Sequence, residues 1–105
     1  MTINELMNQS YDVAHEKGWH DPVIVMEKLC LIHSEVSEAV EDFRNDEMAV
    51  HWEHQQPCGF GIELADILIR VADLAKCLNI NLTENIKIKM EYNESRSFRH
   101  GDKRA

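Results

Sequence analysis

The stretch GIELADILIRVADLAKCLNI, residues 61–80, decides the fold. From Ile62 to Leu78 it holds no proline and no period-two alternation, and it reads as one helix. At about 100° per residue, Glu63, Asp66, Arg70 and Asp73 fall within a sector of roughly 80°, shared with Cys77. Most of the remaining circumference is Ile, Leu, Val and Ala. A surface helix carries an apolar stripe somewhat wider than about 100°, and this one is apolar over roughly twice that. Such a helix is covered on two sides. Its polar stripe then belongs in a cleft or at a subunit edge.

The rest of the chain supports an all-α reading. Thr2 and Glu5 form a T-x-x-E capping box ahead of a first helix that Gly18 ends near Lys17. Asp21 and Pro22 suit the N-cap and first position of a second helix. Along it Val25, Leu29, Ile32, Val36, Ala39 and Phe43 recur at spacings of three and four, fading near Asn45. Residues 46–60 lose this period and read as a loop. Asn81 or Thr83 caps a fourth helix that runs to about Ser97, and the tail after it is polar.

The 105 residues suit a single domain over 1–105. So small a domain buries limited surface, which favours completing the core by oligomerisation. The net charge of −8 speaks against general attraction to nucleic acid or an anionic membrane. It leaves room for a phosphate ligand that brings its own cation. Cys30, Cys58 and Cys77 form no CxxC and read as reduced, mostly buried thiols of a cytoplasmic protein. No signal-peptide pattern or membrane-length apolar run is expected.

The second helix also carries paired carboxylates, in HSEVSEAVEDF: Glu35 and Glu38 are three apart and share a face. Taken singly, E-x-x-E and E-x-x-D occur on many solvated helices. Two such pairs in one small helical chain can bring four carboxylates together, and a hard divalent cation, Mg²⁺ or Mn²⁺, relieves their repulsion. No Glu-x-x-His exists, which argues against a di-iron bundle. His51 and His54 lie in the loop and read as surface histidines.

SEVSEAVEDF, the loop, GIELADILIRVADL and KMEYNESRSFRHGDK occur in an order that resembles the MazG-like nucleotide pyrophosphohydrolases of the all-α NTP pyrophosphatase superfamily. The resemblance runs from about Gly18 to Lys103. It implies a four-helix bundle of that type, completed as a homodimer or homotetramer. It also implies Mg²⁺-dependent cleavage of a nucleoside or deoxynucleoside triphosphate between the α and β phosphorus atoms. On this resemblance Glu35, Glu38, Glu63 and Asp66 are the metal ligands, one Glu of the set orienting or deprotonating the attacking water.

Lys89 and Asn93 match the family's K-x-x-x-N, and with Arg96 they are expected to meet phosphate or sugar. Arg99, His100, Lys103 and Arg104 add positive charge beyond them. Trp19 stands where relatives place an aromatic against the base, although a core or hinge role fits it equally; Trp52 is a candidate lid. The alternative from another class is a non-catalytic helical oligomer that binds nucleotide or metal, or serves a regulatory partner.

Overall fold

The structure, a computed structural model, describes residues 1–96. In chain order these form α1 (Ile3–Glu16), α2 (Val25–Arg44), β1 (His51–Glu53), β2 (Gln56–Cys58), α3 (Phe60–Cys77) and α4 (Leu82–Ser95). Ser97 and the cations Arg99, His100, Lys103 and Arg104 lie outside the described residues.

Local chemistry explains the helix ends. Thr2 Oγ1 accepts from the Glu5 N–H, and the Glu5 carboxylate accepts from the Thr2 N–H, closing the capping box. After α1 the chain turns through Gly18 at φ 77°; Gly18 donates to His15 and Trp19 to Ala14. That paired arrangement satisfies the last carbonyls of a helix. Asp46 and Asn79, both at positive φ, repeat it after α2 and α3. Asn81 caps α4 by accepting from the Glu84 N–H at 3.0 Å.

Two expectations need correction. The second helix starts at Val25, with Ile24 at its N-cap. Asp21 and Pro22 instead belong to the connecting turn, joined by a cis peptide bond. The segment read wholly as a loop contains an antiparallel hairpin that pairs His51 with Cys58, Trp52 with Pro57 and Glu53 with Gln56. His54 and Gln55 form its two-residue turn, both at positive φ, the backbone that matches strand twist. The chain is thus mainly helical with one small two-stranded sheet.

α3 is the central element, packed between α1 and α2, while α4 rests on α1. Met7, Ala72 and Ala75 form the buried centre, with Ile3, Leu6 and Leu82 packed against it. Thr83 Oγ1 donates to Asn4 Oδ1, tying α4 to α1. Among the described residues, most of the apolar stripe of α2 is left uncovered. Ala39 is buried and Ile32 half-buried, but Val25, Leu29, Val36 and Phe43 are exposed. On α3, Leu64, Leu68 and Ile69 are exposed too. The three cysteines are free thiols, but Cys30 is exposed and Cys58 and Cys77 are half-buried, less enclosed than expected. Among the described residues no helix is long and apolar enough to cross a membrane.

Candidate metal centre and cleft

The i, i+3 spacing keeps each carboxylate pair on one helix face; Glu35, Glu63 and Asp66 meet where α2 and α3 pack, and Glu38 is exposed. Glu35, Glu63 and Asp66 each bring an oxygen within 4.8 Å of the other two. Glu38 stands against Glu63 from the same turn of α2 as Glu35. Glu35 is buried, and Glu63 and Asp66 are half-buried. Ala39, a small buried residue one turn beyond Glu35, leaves room for close approach.

The electrostatics are those of a crowded anionic site. Burial, followed by the charges of Glu38 and Glu35, pushes the Glu63 carboxyl up to about 7. Burial and then Glu35 raise Asp66, against an opposing pull from Arg70. Glu35 Oε2 and Glu63 Oε2 are buried without a hydrogen-bond partner. Glu63 meets its neighbours oxygen to oxygen, a contact that becomes a hydrogen bond only when one carboxyl carries a proton. Arg70 offsets part of this charge by donating from Nε to Glu35 Oε1 at 3.1 Å.

This donor set suits a hard divalent cation. It is all oxygen, it concentrates negative charge, and two of its buried oxygens lack partners, which is the need that Mg²⁺ or Mn²⁺ meets.

Beside the cluster lies a cleft of about 400 Å³, lined in part by Trp19, Lys28, Asp66, Ile69, Arg70 and Asp73. Its size is in the range of small-molecule sites, roughly 300–1,000 Å³. Trp19 is exposed at its mouth, and the Lys28 ammonium donates to the Trp19 carbonyl at 2.9 Å. Trp19 therefore shares a cleft with Asp66.

α4 places its candidates elsewhere. Lys89 and Asn93 are exposed, and the Lys89 ammonium sits 4.7 Å from the centre of the Tyr92 ring. The Arg96 guanidinium lies over the same ring at 5.5 Å. No salt bridge among the described residues joins these side chains to the carboxylate cluster. Trp52 is exposed on the hairpin, and His51 pairs there with Glu53 at 2.9 Å.

The polar stripe of α3 faces inward along its length. Past Arg70, Asp73 is buried and its Oδ1 lies 2.7 Å from His20 Nε2; Cys77 Sγ lies 3.3 Å from the same nitrogen. Sequence reasoning grouped Asp73 and Cys77 with the stripe but missed His20, whose only local signal was its place beside Trp19. Set against protein-family models, the curated proteins and the solved structures, the chain shows no match.

Proposed function

We propose that the chain is a Mg²⁺-dependent nucleoside triphosphate pyrophosphohydrolase, cleaving a (deoxy)nucleoside triphosphate to the monophosphate and pyrophosphate. The observation that carries this reading is the convergence of Glu35, Glu63 and Asp66, with Glu38 against Glu63, on orphaned carboxylate oxygens. In this reading those four residues hold Mg²⁺ or Mn²⁺. The cation, when bound, supplies countercharge to the polyphosphate and acidifies the attacking water. The carboxylates fix where that charge sits, and positioning is the main requirement of phosphoryl chemistry. A Glu of the set orients the water. Arg70 aligns Glu35 by its hydrogen bond to Oε1. Trp19 offers its face to the base across the cleft that Asp66 lines.

The same reading includes assembly, as a homodimer or a homotetramer built from dimers. Met26, Leu29, Val36, Val40 and Phe43 follow one another at alternating three- and four-residue steps, with His33 completing the line, and all five are exposed. That is the seam spacing of paired helices. In this reading a second copy laid on this face brings Lys89 and Asn93 to the nucleotide.

The deciding experiment is pyrophosphate release over a panel of NTPs and dNTPs with Mg²⁺. Glu38→Gln, Glu63→Gln and Asp66→Asn are each expected to lower turnover at least about a hundredfold, the scale of losing one key electrostatic group. Mg²⁺ binding without pyrophosphate release from any member of the panel would instead identify a non-catalytic binding module.

A further inference from the structure

We propose that His20, Asp73 and Cys77 form a second metal site, distinct in chemistry from the carboxylate cluster and suited to Zn²⁺ or a similar borderline ion. Asp73 and Cys77 are one turn apart on α3 and face the same way. His20 reaches them from the turn after α1. The His20 side chain is 8% exposed and that of Asp73 11%, so two of the three groups are held out of water by the fold.

One atom makes the case. His20 Nε2 faces both Asp73 Oδ1, at 2.7 Å, and Cys77 Sγ, at 3.3 Å, while Sγ and Oδ1 are 3.7 Å apart. A catalytic Cys–His–Asp relay needs the carboxylate on the ring nitrogen opposite the thiol; here both crowd one nitrogen. Without a cation the ring must share one N–H between two acceptors, or leave the Cys77 thiol to a long 3.7 Å bond to Asp73 Oδ1. A cation at the centre of the triangle serves all three. Zinc–ligand bonds of about 2.0–2.3 Å at tetrahedral angles set ligand edges at about 3.3–3.6 Å. The Cys77 edges are already close to that, and the His20–Asp73 edge, now 2.7 Å, must open by about 0.6 Å.

The donor set selects the ion. Thiolate and imidazole favour Zn²⁺ and its neighbours over Mg²⁺, whereas the Glu35, Glu63 and Asp66 cluster offers oxygen alone. Three protein ligands are also the number found where one coordination position stays open, and Asp73 lines the cleft that Asp66 and Trp19 share. Binding releases the Cys77 thiol proton to solvent and takes His20 as the neutral ring through Nε2; no electron is transferred. A third grouping, His51, Glu53 and Cys58 on the hairpin, is the natural control. It is more open to solvent, and both nitrogens of His51 are engaged, with the Ala49 carbonyl and with Glu53.

The test is a Co²⁺ titration of the full chain in excess Mg²⁺, read by the thiolate-to-cobalt charge-transfer band, followed by displacement with Zn²⁺. One equivalent is expected to give the band. Cys77→Ser and His20→Gln should each abolish it or weaken binding at least tenfold, on the scale of disturbing a metal site. Cys58→Ser and Glu63→Gln should leave it unchanged. Absence of the band in the parent chain, its survival in Cys77→Ser, or its loss in Cys58→Ser alone would each overturn the proposal. If the first two variants fail to fold, alkylation of the parent chain decides: Zn²⁺, but not Mg²⁺, should slow modification of Cys77, and protection of Cys58 alone would refute the site.

Discussion

Arg70 Nε donates to Glu35 Oε1 at 3.1 Å, joining α3 to α2 where four carboxylates crowd. Glu35 is the more enclosed partner, its side chain 11% exposed against 38% for Arg70. Its second oxygen has no partner. Arg70→Gln therefore leaves a buried carboxylate beside other anions with its main countercharge gone. Losing a charged hydrogen-bond partner of a buried group costs about 1–3 kcal/mol. Urea unfolding in EDTA should show a loss of that size, and added Mg²⁺ should recover most of it. Equal losses with and without Mg²⁺ would mean that Arg70 acts by packing alone.

A pH dependence follows from Glu63, whose carboxyl is raised from 4.5 to about 7. The folded chain holds a proton there that the unfolded chain releases. Between those two values the folded state binds more protons, so stability falls as pH rises through the interval. Asp66, also raised, acts in the same direction. Mg²⁺ bound as proposed must displace the proton, so its stabilising effect is expected to grow over the same range. Thermal unfolding midpoints in EDTA should drop from about pH 5 to about pH 7.5, with the gap to Mg²⁺ curves widening. Glu63→Gln should flatten the EDTA curve. A parent curve as flat as that of Glu63→Gln would remove Glu63 from the cluster.

Local signals in the sequence were good guides where local chemistry sets the structure. Thr2 with Glu5, Gly18 and Asn81 bound their helices much as their side chains require. The hairpin was hidden because His54 and Gln55 adopt positive φ without the Gly or Asn that usually marks such a turn, and Pro57 sits in one strand. Asp21-Pro22 carries a sound helix-start signal that the connecting turn uses otherwise. The face shared by Glu63, Asp66, Arg70, Asp73 and Cys77 was legible from period alone. The matching spacing of Glu35 and Glu38 pointed to a second carboxylate pair beside it, but His20 was not legible, because it arrives from 53 residues away through packing that no short window contains.

Gly59 holds the start of α3, and with it Glu63, in place. It sits at φ 124°, where a Cβ would come within 2.5 Å of the Ala49 carbonyl oxygen. Its own carbonyl accepts from the Glu63 N–H at 3.1 Å. Gly59→Ala meets both a backbone conformation closed to L side chains and a clash with main chain that cannot swing aside. A loss of about 2 kcal/mol or more is expected, read by chemical denaturation. The neighbouring Gly61 is a fair control, because a Cβ there meets nothing within 4 Å. Equal tolerance of alanine at both positions would show that the Ala49–Gly59 approach is not maintained in solution.

Lys89 and Asn93 give the sharpest test of assembly. Both lie exposed on α4, which packs on α1, and among the described residues neither forms a salt bridge with a carboxylate. In the proposed assembly a second copy of the chain brings them to the nucleotide. Lys89→Ala should then raise KM or lower kcat while Mg²⁺ binding to the free protein stays nearly unchanged, since a charged Lys is no metal ligand. A shared site predicts more. Lys89→Ala and Glu63→Gln are each defective alone, but a mixed dimer holds one site with both residues intact. Random exchange makes half the dimers mixed, with one working site of two, so about a quarter of parental turnover should return. The measurement is pyrophosphate release after co-refolding the two variants, with mixed dimers verified by mass. Mixed dimers without recovered turnover would place Lys89 outside the partner's site, and parental kcat/KM in Lys89→Ala alone would remove it from the reaction.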